Sequence, residues 1–276
     1  MTDTGIDFEA YRRRIGFDGP APATLATLAR LIELHAAAIP FENIDVLAGR
    51  VPRLDGASLQ QKLVQSRRGG YCFEQSGLFL ACLRQIGFAV QGLEARVRAG
   101  VPADVTTART HMALRVTVDG DDYLADVGFG GLAPMAPLKL HSRGEQDAAG
   151  DSYRWVDAAG GRLLQVHTDT GWSDCYSLLA SEPQPIDYEM GNWFVATHPK
   201  AMLRHNLLVA RAVDGGRLTL FNRQLSLRKT AAAKPEERSL GTRGEMADVL
   251  ADGFGLQIDG AALDAVVAVL ERKAAE

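Results

Sequence analysis

Cysteine is scarce in this chain, and its cysteines form no recognisable pair. Only three occur in 276 residues, at positions 72, 82 and 175, and no Cys-x-x-Cys motif is present. This count argues against the disulfide framework of small secreted domains and provides no zinc-ligand spacing. We therefore expect no metal site, and we expect the protein to work in a reducing cytoplasm.

Long apolar runs and a dominant charge are also missing. The first residues are polar, and no continuous hydrophobic stretch that could cross a bilayer follows them, so neither a signal peptide nor a membrane span is expected. The net charge is −4 and the pI about 5.9, values that do not suggest a nucleic-acid partner. No Gly-x-Gly-x-x-Gly or phosphate-loop motif occurs, and no bound cofactor is predicted.

Apolar residues are present in the amount that a sizeable core requires. They make up 46% of the 276 residues, which is enough for two or three lobes. Residues 23–38 repeat apolar side chains at helical spacing, whereas short alternating segments and glycine turns from 88 to about 172 predict a β-barrel or sandwich. The other predicted elements are a hairpin at 206–227 that turns at 214–216, an exposed loop at 231–237, and helices at 245–250 and 261–272.

The most informative segment surrounds Cys72. Arginines and a glycine pair precede this cysteine, and residues 73–86 after it carry apolar side chains at helical spacing up to Gly87. Cys72 is thus predicted in the first turn of a helix, where unpaired backbone N–H groups favour a thiolate. The two glycines are expected to let the backbone bend there and to leave room for a substrate.

A helix terminus alone cannot ionise this thiol. An ordinary thiol has a pKa of about 8.5, and lowering that pKa to about 5.5 takes about 4 kcal/mol. The helix typically supplies about 0.3–1 kcal/mol, or about 2 kcal/mol in favourable geometry. A base is therefore required if Cys72 is a nucleophile, whereas a buried hydrophobic role suits Cys82 and Cys175 better.

His111 and Asp126 are the candidates for the base and the group that orients it. His111 opens a strictly alternating strand that ends at Val118, and a polar turn at 119–122 leads into a returning strand from Tyr123. Pairing Val118 with Tyr123 sets Asp126 opposite Arg115. That register leaves Asp126 four residues from His111, so we expect a bulge, a sheared register or a bend to unite them.

These residue types leave two interpretations open. Asp126 could simply pair with Arg115, and His111 could be an ordinary strand residue. Alternatively, a thiolate, an imidazole that holds its proton and a carboxylate that fixes the imidazole tautomer form a nucleophilic triad. Such a triad suits either acyl transfer or amide hydrolysis.

At these residues the chain resembles the arylamine N-acetyltransferases. The resemblance extends over nearly the whole length, and its most specific block is Arg68-Gly69-Gly70-Tyr71-Cys72-Phe73-Glu74. The other blocks are Ile39-Pro40-Phe41-Glu42-Asn43, Thr110-His111-Met112-Ala113-Leu114, Asp126-Val127-Gly128-Phe129-Gly130 and Thr197-His198-Pro199.

The resemblance implies an α+β fold of three parts. These are an N-terminal helical bundle over 1–88 that carries the nucleophile, a central β-barrel over 89–198 that carries the histidine and the aspartate, and a C-terminal α/β lid over 199–276. A cysteine-protease-like Cys-His-Asp site lies between the first two.

The resemblance also implies the chemistry. Cys72 attacks acetyl-CoA, which is a substrate rather than a bound cofactor, and the acetyl-cysteine then passes its acetyl group to an arylamine, arylhydroxylamine or hydrazine. His111 exchanges the protons and Asp126 orients it, while Glu42 and Arg68 form a buried ion pair of structural importance. The expected partners are small molecules only, and the oligomeric state is left open. The residues implied to line the substrate pocket are Phe41, Tyr71, Val97, Thr110, Phe129 and Gly130.

Two features bear on the substrates. The family often carries a serine and a phenylalanine after the Thr-His-Pro block, where this chain has Ala201 and Leu203. A difference at the mouth of the site would alter substrate preference and CoA placement but not the triad. A basic cluster of Arg96, Arg98 and Arg109 could meet the CoA phosphates, or it could be a solvated face.

Two competing functions remain at this point. A transglutaminase-like cysteine hydrolase or amidase uses the same residue types in the same order. A binding or scaffold protein could keep the fold without turnover, although all three triad residues are present.

Overall fold

The chain begins with helices, continues as a large antiparallel sheet and ends with a smaller sheet and two helices. The computed structural model describes residues 5–158 and 160–274. The helices are α1 Phe8–Ile15, α2 Leu25–Ala38, α3 Ile44–Leu47, α4 Gly56–Leu59, α5 Cys72–Ile86, α6 Pro185–Thr197, α7 Arg243–Asp248 and α8 Gly260–Ala274. The strands are β1 Phe41–Glu42, β2 Ala89–Val97, β3 Arg109–Val118, β4 Asp121–Ala125, β5 Leu138–Lys139, β6 Gln146–Ala148, β7 Asp151–Ala158, β8 Gly161–Thr168, β9 Gly171–Leu179, β10 Leu208–Val213, β11 Gly216–Phe221, β12 Gln224–Arg228 and β13 Glu236–Ser239.

The N-terminal helices begin and end where their capping residues predict. The side chains of Asp7 and Thr24 accept backbone N–H groups at the starts of α1 and α2, which satisfies donors that a helix leaves unpaired. Gly87 ends α5 in the left-handed conformation, with φ 99°. The predicted helices at 23–38 and 73–86 are confirmed, as are the two C-terminal helices.

The large sheet has eight strands in the order β5-β4-β3-β2-β9-β8-β7-β6. Its two ends approach each other. The Trp155 indole of β7 donates to the Lys139 carbonyl of β5 at 3.1 Å, and the Gln146 side chain of β6 accepts the Lys139 N–H at 2.7 Å. These contacts make the sheet a nearly closed barrel, one of the two β architectures that the sequence predicted.

The β3–β4 hairpin differs from the predicted register. Val118 pairs with Asp121 instead of Tyr123, and Arg115 pairs with Leu124 instead of Asp126. The cause is a tight two-residue turn in which Asp119 and Gly120 both adopt positive φ, a geometry that matches the twist of the strands.

This shift of two residues removes the need for a bulge between the strands. The β3–β4 pairing is continuous and ends at Leu114 with Ala125, so one further step would set Asp126 opposite Ala113. Asp126 therefore lies two residues from His111 along the same face. Of the alternatives expected, a bulge between these strands was wrong, whereas a register displaced from the simple pairing is what brings Asp126 towards His111.

The smaller sheet, in the order β1-β10-β11-β12-β13, joins the two ends of the chain. The predicted hairpin at 206–227 is confirmed as β10 and β11. The predicted exposed loop at 231–237 is wrong at both ends. At one end Ala231 is buried, and its N–H donates to the Asp151 carboxylate at 2.5 Å. At the other end Glu236 and Glu237 belong to β13.

Helices and barrel share one apolar core. Leu114, Val116 and Tyr123 on the outer face of β3 and β4 pack with Phe73 and Phe79 of α5. α6, a helix that was not predicted and lies within the 89–198 range assigned to the barrel, packs beside them. Gly191 leaves room there for Phe73, because a Cβ atom on Gly191 would lie 2.7 Å from its ring. Within the described ranges, no helix is long and apolar enough to cross a membrane. The boundaries of the three predicted domains remain a prediction.

Candidate active site

Cys72 is the first residue of α5 and is 5% exposed. Glu74 fixes the start of the helix, because its Oε2 atom accepts the backbone N–H of Tyr71 at 3.1 Å. The Cys72 Sγ atom lies 3.4 Å from the carbonyl oxygen of Thr110, next to His111. The sulfur is thus held at a helix N-terminus, where the N–H groups favour negative charge.

Three glycines allow the backbone to close around this cysteine. A Cβ atom on Gly128 would lie 2.8 Å from the Cys72 Cα, and one on Gly69 would lie 2.2 Å from the Pro40 carbonyl oxygen. A Cβ atom on Gly70 would lie 2.9 Å from the Glu74 side chain. The glycine pair before Cys72 therefore serves close packing, and the left-handed backbone in this segment belongs to Arg67, with φ 52°.

His111 and Asp126 meet in the barrel interior. The His111 Nε2 atom lies 2.7 Å from Asp126 Oδ2, and the residues are 3% and 1% exposed. The other carboxylate oxygen, Oδ1, accepts the N–H of Gly128 at 2.9 Å. Both oxygens of this buried carboxylate are therefore occupied, which holds it in one orientation.

The charge of the pair favours a protonated imidazole. Burial lowers the pKa of His111, but the charge of Asp126 and the hydrogen bonds with Asp126 and Cys72 outweigh it and raise the pKa to about 10. Cys72 is one of the groups that raise this pKa, and its Sγ atom lies 3.4 Å from the carbonyl oxygen of Thr110, the residue before His111. A protonated His111 near the sulfur supplies the positive charge that the helix terminus alone does not.

Two aromatic rings enclose the imidazole. The Tyr176 ring of β9 lies 4.7 Å from it and the Phe129 ring 5.1 Å, measured between centroids. Burial and the charge of Asp126 raise the pKa of the Tyr176 hydroxyl, so it stays neutral. Tyr176 was missed by the sequence analysis, since 65 residues separate it from His111 and only the β2–β9 pairing brings them together.

A buried ionic cluster supports the segment before Cys72. Arg68 Nη2 lies 2.6 Å from Glu42 Oε1, so the pair implied by the resemblance is formed. Lys62 forms two further ion pairs in this cluster. Its Nζ atom lies 2.7 Å from Glu74 Oε1 and 2.6 Å from Asp45 Oδ2. Lys62 and Asp45 were missed; Lys62 lies in a π-helical turn, Gln60–Gln65, that has no sequence signature.

The pKa values of the carboxyl groups in this cluster depend on their burial and on the positive charges of Lys62 and Arg68. Burial raises the pKa of Glu74 to about 7, against the opposing effect of Lys62. Burial also raises the pKa of Asp45, but Lys62 and Arg68 outweigh it and bring that pKa well below its usual range. Lys62 is thus the cation shared by two carboxylates near Cys72.

The predicted pocket residues occupy different surroundings. Phe41 and Gly130 line one small cavity together with Ala210 of β10. Phe129 covers His111, and Val97 pairs with Tyr176 in the sheet. Thr110 is half-buried at the start of β3. Tyr71 is fully buried and donates its hydroxyl proton to Asn192 of α6, so its contacts are those of core packing. The assignment of these residues to a pocket remains a prediction.

The three arginines of the basic cluster hold one loop. Arg96 donates to the Thr107 carbonyl, Arg98 donates to the Pro102 carbonyl at 2.6 Å, and Arg109 pairs with Glu94 at 3.1 Å. Arg98 also borders a cleft of about 890 Å³ together with Gly131 and other residues. The remaining charged side chains along this cleft are Asp169, Asp174, Arg217 and Arg228.

The two positions that depart from the family pattern lie beside the helical core. Ala201 is buried, and the half-buried Leu203 packs against the core of the bundle. The Leu203 carbonyl accepts a hydrogen bond from Asn43 Nδ2 at 2.6 Å. The backbone is therefore anchored at Leu203, and the departures from the family pattern are a missing hydroxyl at Ala201 and a missing aromatic ring at Leu203.

The comparisons with known proteins agree on one family. The model of a family described as N-acetyltransferase matches residues 24–263. An arylamine N-acetyltransferase of Escherichia coli is 39% identical, with 91% of this chain and 89% of that protein covered. An arylamine N-acetyltransferase / N-hydroxyarylamine O-acetyltransferase of Salmonella typhimurium is 41% identical, with 77% of this chain and 76% of that protein covered. The structure of Mycobacterium marinum arylamine N-acetyltransferase in complex with CoA superposes with a TM-score of 0.90 at 35% identity, covering 95% of this chain and 99% of that one.

Proposed function

This chain belongs to the arylamine N-acetyltransferase family, and from that premise we propose that it carries acetyl groups from acetyl-CoA to aromatic amines through Cys72. The observation that carries the proposal is the position of Cys72 at the tip of α5, where its Sγ atom lies 3.4 Å from the carbonyl oxygen of Thr110. The next residue, His111, has its imidazole 2.7 Å from a buried carboxylate. Arylhydroxylamines and hydrazines also carry a nucleophilic nitrogen or oxygen atom that can accept the acetyl group, so we include them among the acceptors.

The first half of the reaction loads the enzyme. The Cys72 sulfur bonds to the carbonyl carbon of the acetyl group, the carbon–sulfur bond to CoA breaks, and the departing CoA thiolate takes the proton held by His111. Negative charge develops on the carbonyl oxygen, and the unpaired N–H groups at the start of α5 are the donors we assign to it.

The second half returns the enzyme to its starting state. The amine nitrogen attacks the acetyl carbon, its proton passes to the neutral His111, and Cys72 leaves as a thiolate. Asp126 keeps the imidazole in the orientation that serves both halves and stabilises its protonated form. One site thus serves two substrates in turn.

The cleft beside Gly131 supports a place for the donor. It has room for an extended molecule, and Arg98, Arg217 and Arg228 line it together with Asp169 and Asp174, of which Asp169 pairs with Arg228 at 3.3 Å. Gly131 and Leu132 also line it, and they follow Phe129 closely in the sequence. We assign the phosphates of acetyl-CoA to this cleft. We also place the protein in the cytoplasm, since three cysteines without a Cys-x-x-Cys motif suit a reducing compartment.

Steady-state kinetics test the two-step scheme. Initial rates are measured at several fixed concentrations of an arylamine while acetyl-CoA is varied. We expect parallel double-reciprocal lines, because CoA leaves before the amine reacts. Intersecting lines would require both substrates to be bound together and would contradict the scheme. Continuous release of CoA without any amine would instead favour a hydrolase.

A further inference from the structure

A chain of buried polar side chains runs through the helical bundle to the nucleophile. The Tyr11 hydroxyl of α1 lies 2.9 Å from His35 Nδ1 of α2, and His35 Nε2 lies 2.6 Å from Gln75 Oε1 of α5. All three residues are 0% exposed. Buried polar groups are costly unless they are paired, so three of them in a row call for an explanation beyond packing.

The amide end of Gln75 explains the arrangement. Its Nε2 atom lies 2.8 Å from the Pro40 carbonyl oxygen, 3.1 Å from that of Gly70 and 3.3 Å from that of Ile39. These carbonyls belong to two separate segments, one that leads into Phe41 and one that leads into Cys72. A single amide group therefore forms hydrogen bonds to both backbone segments beside the candidate nucleophile.

The hydrogen bonds determine which atom is the donor and which the acceptor in each contact between Tyr11, His35 and Gln75. An amide nitrogen only donates, so the three carbonyls fix Gln75 Oε1 as the acceptor for His35. His35 must then carry its proton on Nε2 and accept the Tyr11 hydroxyl at Nδ1. Burial lowers the pKa of His35 to about 4, against the effect of the Gln75 hydrogen bond, so this neutral form persists at physiological pH.

We propose that Gln75 is a positioning residue for Cys72. It holds the Gly70–Cys72 turn against the Pro40–Phe41 segment, and His35 and Tyr11 keep its amide in the one orientation that can do so. Gln75 lies one helical turn beyond Cys72 on the same helix and touches no substrate. The segments are also joined by two backbone hydrogen bonds, Glu42 N–H to the Gly70 carbonyl at 3.0 Å and Gly70 N–H to that of Pro40 at 3.3 Å, and by the Arg68–Glu42 ion pair. The Gln75 amide is the group that binds both segments from within the helix that carries Cys72.

The substitution Gln75→Met tests this, with Gln85→Met as the matched control. Methionine keeps the side-chain length but removes the amide, and Gln85 lies exposed near the end of the same helix. The rate of Cys72 alkylation by iodoacetamide is followed by peptide mass spectrometry at pH 7. We expect a loss of about tenfold or more in Gln75→Met and a change within about twofold in Gln85→Met, because small displacements of a reacting group are costly.

A second variant keeps the test decisive should Gln75→Met fail to fold. Gln75→Glu is nearly isosteric and keeps the acceptor for His35, but it loses the donors to the three carbonyls. We expect it to slow alkylation in the same direction. Restoration of the alkylation rate in Gln75→Asn, which keeps a shorter amide, would support the same assignment.

Turnover supplies the readout that a purely structural role would not change. This part rests on the proposed function. In folded Gln75 variants, kcat for acetyl transfer should fall in parallel with the alkylation rate, while KM for acetyl-CoA stays within about threefold. Unchanged alkylation and kcat, with only a lower Tm, would overturn the positioning role. Absence of acetyl transfer in the unmodified protein would count against the proposed function alone, because the alkylation comparison does not depend on it.

Discussion

His111 Nε2 and Asp126 Oδ2 lie 2.7 Å apart, although the two residues come from a strand and from the loop that follows its partner strand. The two-residue turn at Asp119 and Gly120 brings them together by setting the register of the hairpin. Because the second Asp126 oxygen is bound by the Gly128 N–H, the carboxylate cannot turn away.

Replacing Asp126 with asparagine should remove the positive charge from the site while keeping its shape. The charge of Asp126 is the largest cause that raises the His111 pKa, so in Asp126→Asn that pKa should fall from about 10 towards and below the ordinary value. At pH 7 the imidazole would then be neutral. We expect kcat/KM for acetyl transfer to drop about 10³-fold or more, as for a comparable substitution in serine proteases. Retained activity with a folded variant would rule out the role of Asp126.

Gly128 has no room for a side chain. A methyl group in Gly128→Ala would lie 2.8 Å from the Cα of Cys72, which belongs to a helix that cannot move freely. Acetyl transfer should fall at least about tenfold because the sulfur is displaced from His111. Gly144→Ala is the control, since a Cβ atom there meets nothing within 4 Å. Equal activities of the two variants would refute this tight packing.

Lys62 should matter for stability because its largely buried ammonium group pairs with two carboxylates. In Lys62→Met the carboxylates of Glu74 and Asp45 lose their shared cation, and breaking a buried pair costs about 3 kcal/mol or more. Lys139→Met removes an exposed pair with Asp121 and should change the free energy of unfolding little. Urea unfolding monitored by tryptophan fluorescence measures both. A small loss in Lys62→Met, similar to that in Lys139→Met, would contradict the buried cluster.

Buried His35 makes the fold sensitive to acid. Its pKa is about 4 in the folded protein and ordinary, near 6.5, after unfolding. The unfolded state therefore binds the proton more readily, and the stability present above pH 6.5 is lost as the pH falls towards 4. We expect the free energy of unfolding to decrease by on the order of 2 kcal/mol between pH 7 and 4.5 from this residue. The difference between the unmodified protein and His35→Gln should shrink over that range; a constant difference would show that His35 does not titrate there.

Local patterns predicted the elements that carry the site. Cys72 was placed at a helix start because Gly87 ends an amphipathic segment of the right length, and His111 was placed on a strand because of strict alternation. The hairpin register was missed, although the sequence carries a signal for it. Asp119-Gly120 is a dipeptide typical of a two-residue turn with positive φ at both positions, and this turn sets the register.

Other contacts between distant segments could not be predicted from local patterns. Lys62 and Asp45 meet across 17 positions, from a π-helical turn and from α3, and Tyr176 reaches His111 only through the pairing of β2 with β9. Hydrophobic periodicity does not predict such contacts, because it does not show which strands become adjacent in the sheet. The Gln75–His35 pair was missed for the same reason.

Intact-protein mass spectrometry after mixing with acetyl-CoA, in the absence of any amine, tests the central claim most directly. We predict one added acetyl group, located on Cys72 by peptide mapping and absent from Cys72→Ala, with the buried Cys82 and Cys175 unmodified. Addition of an arylamine should then remove the group and yield the acetylated amine. An unmodified protein that still produces acetylated amine, or an acetyl group on another residue, would contradict the account.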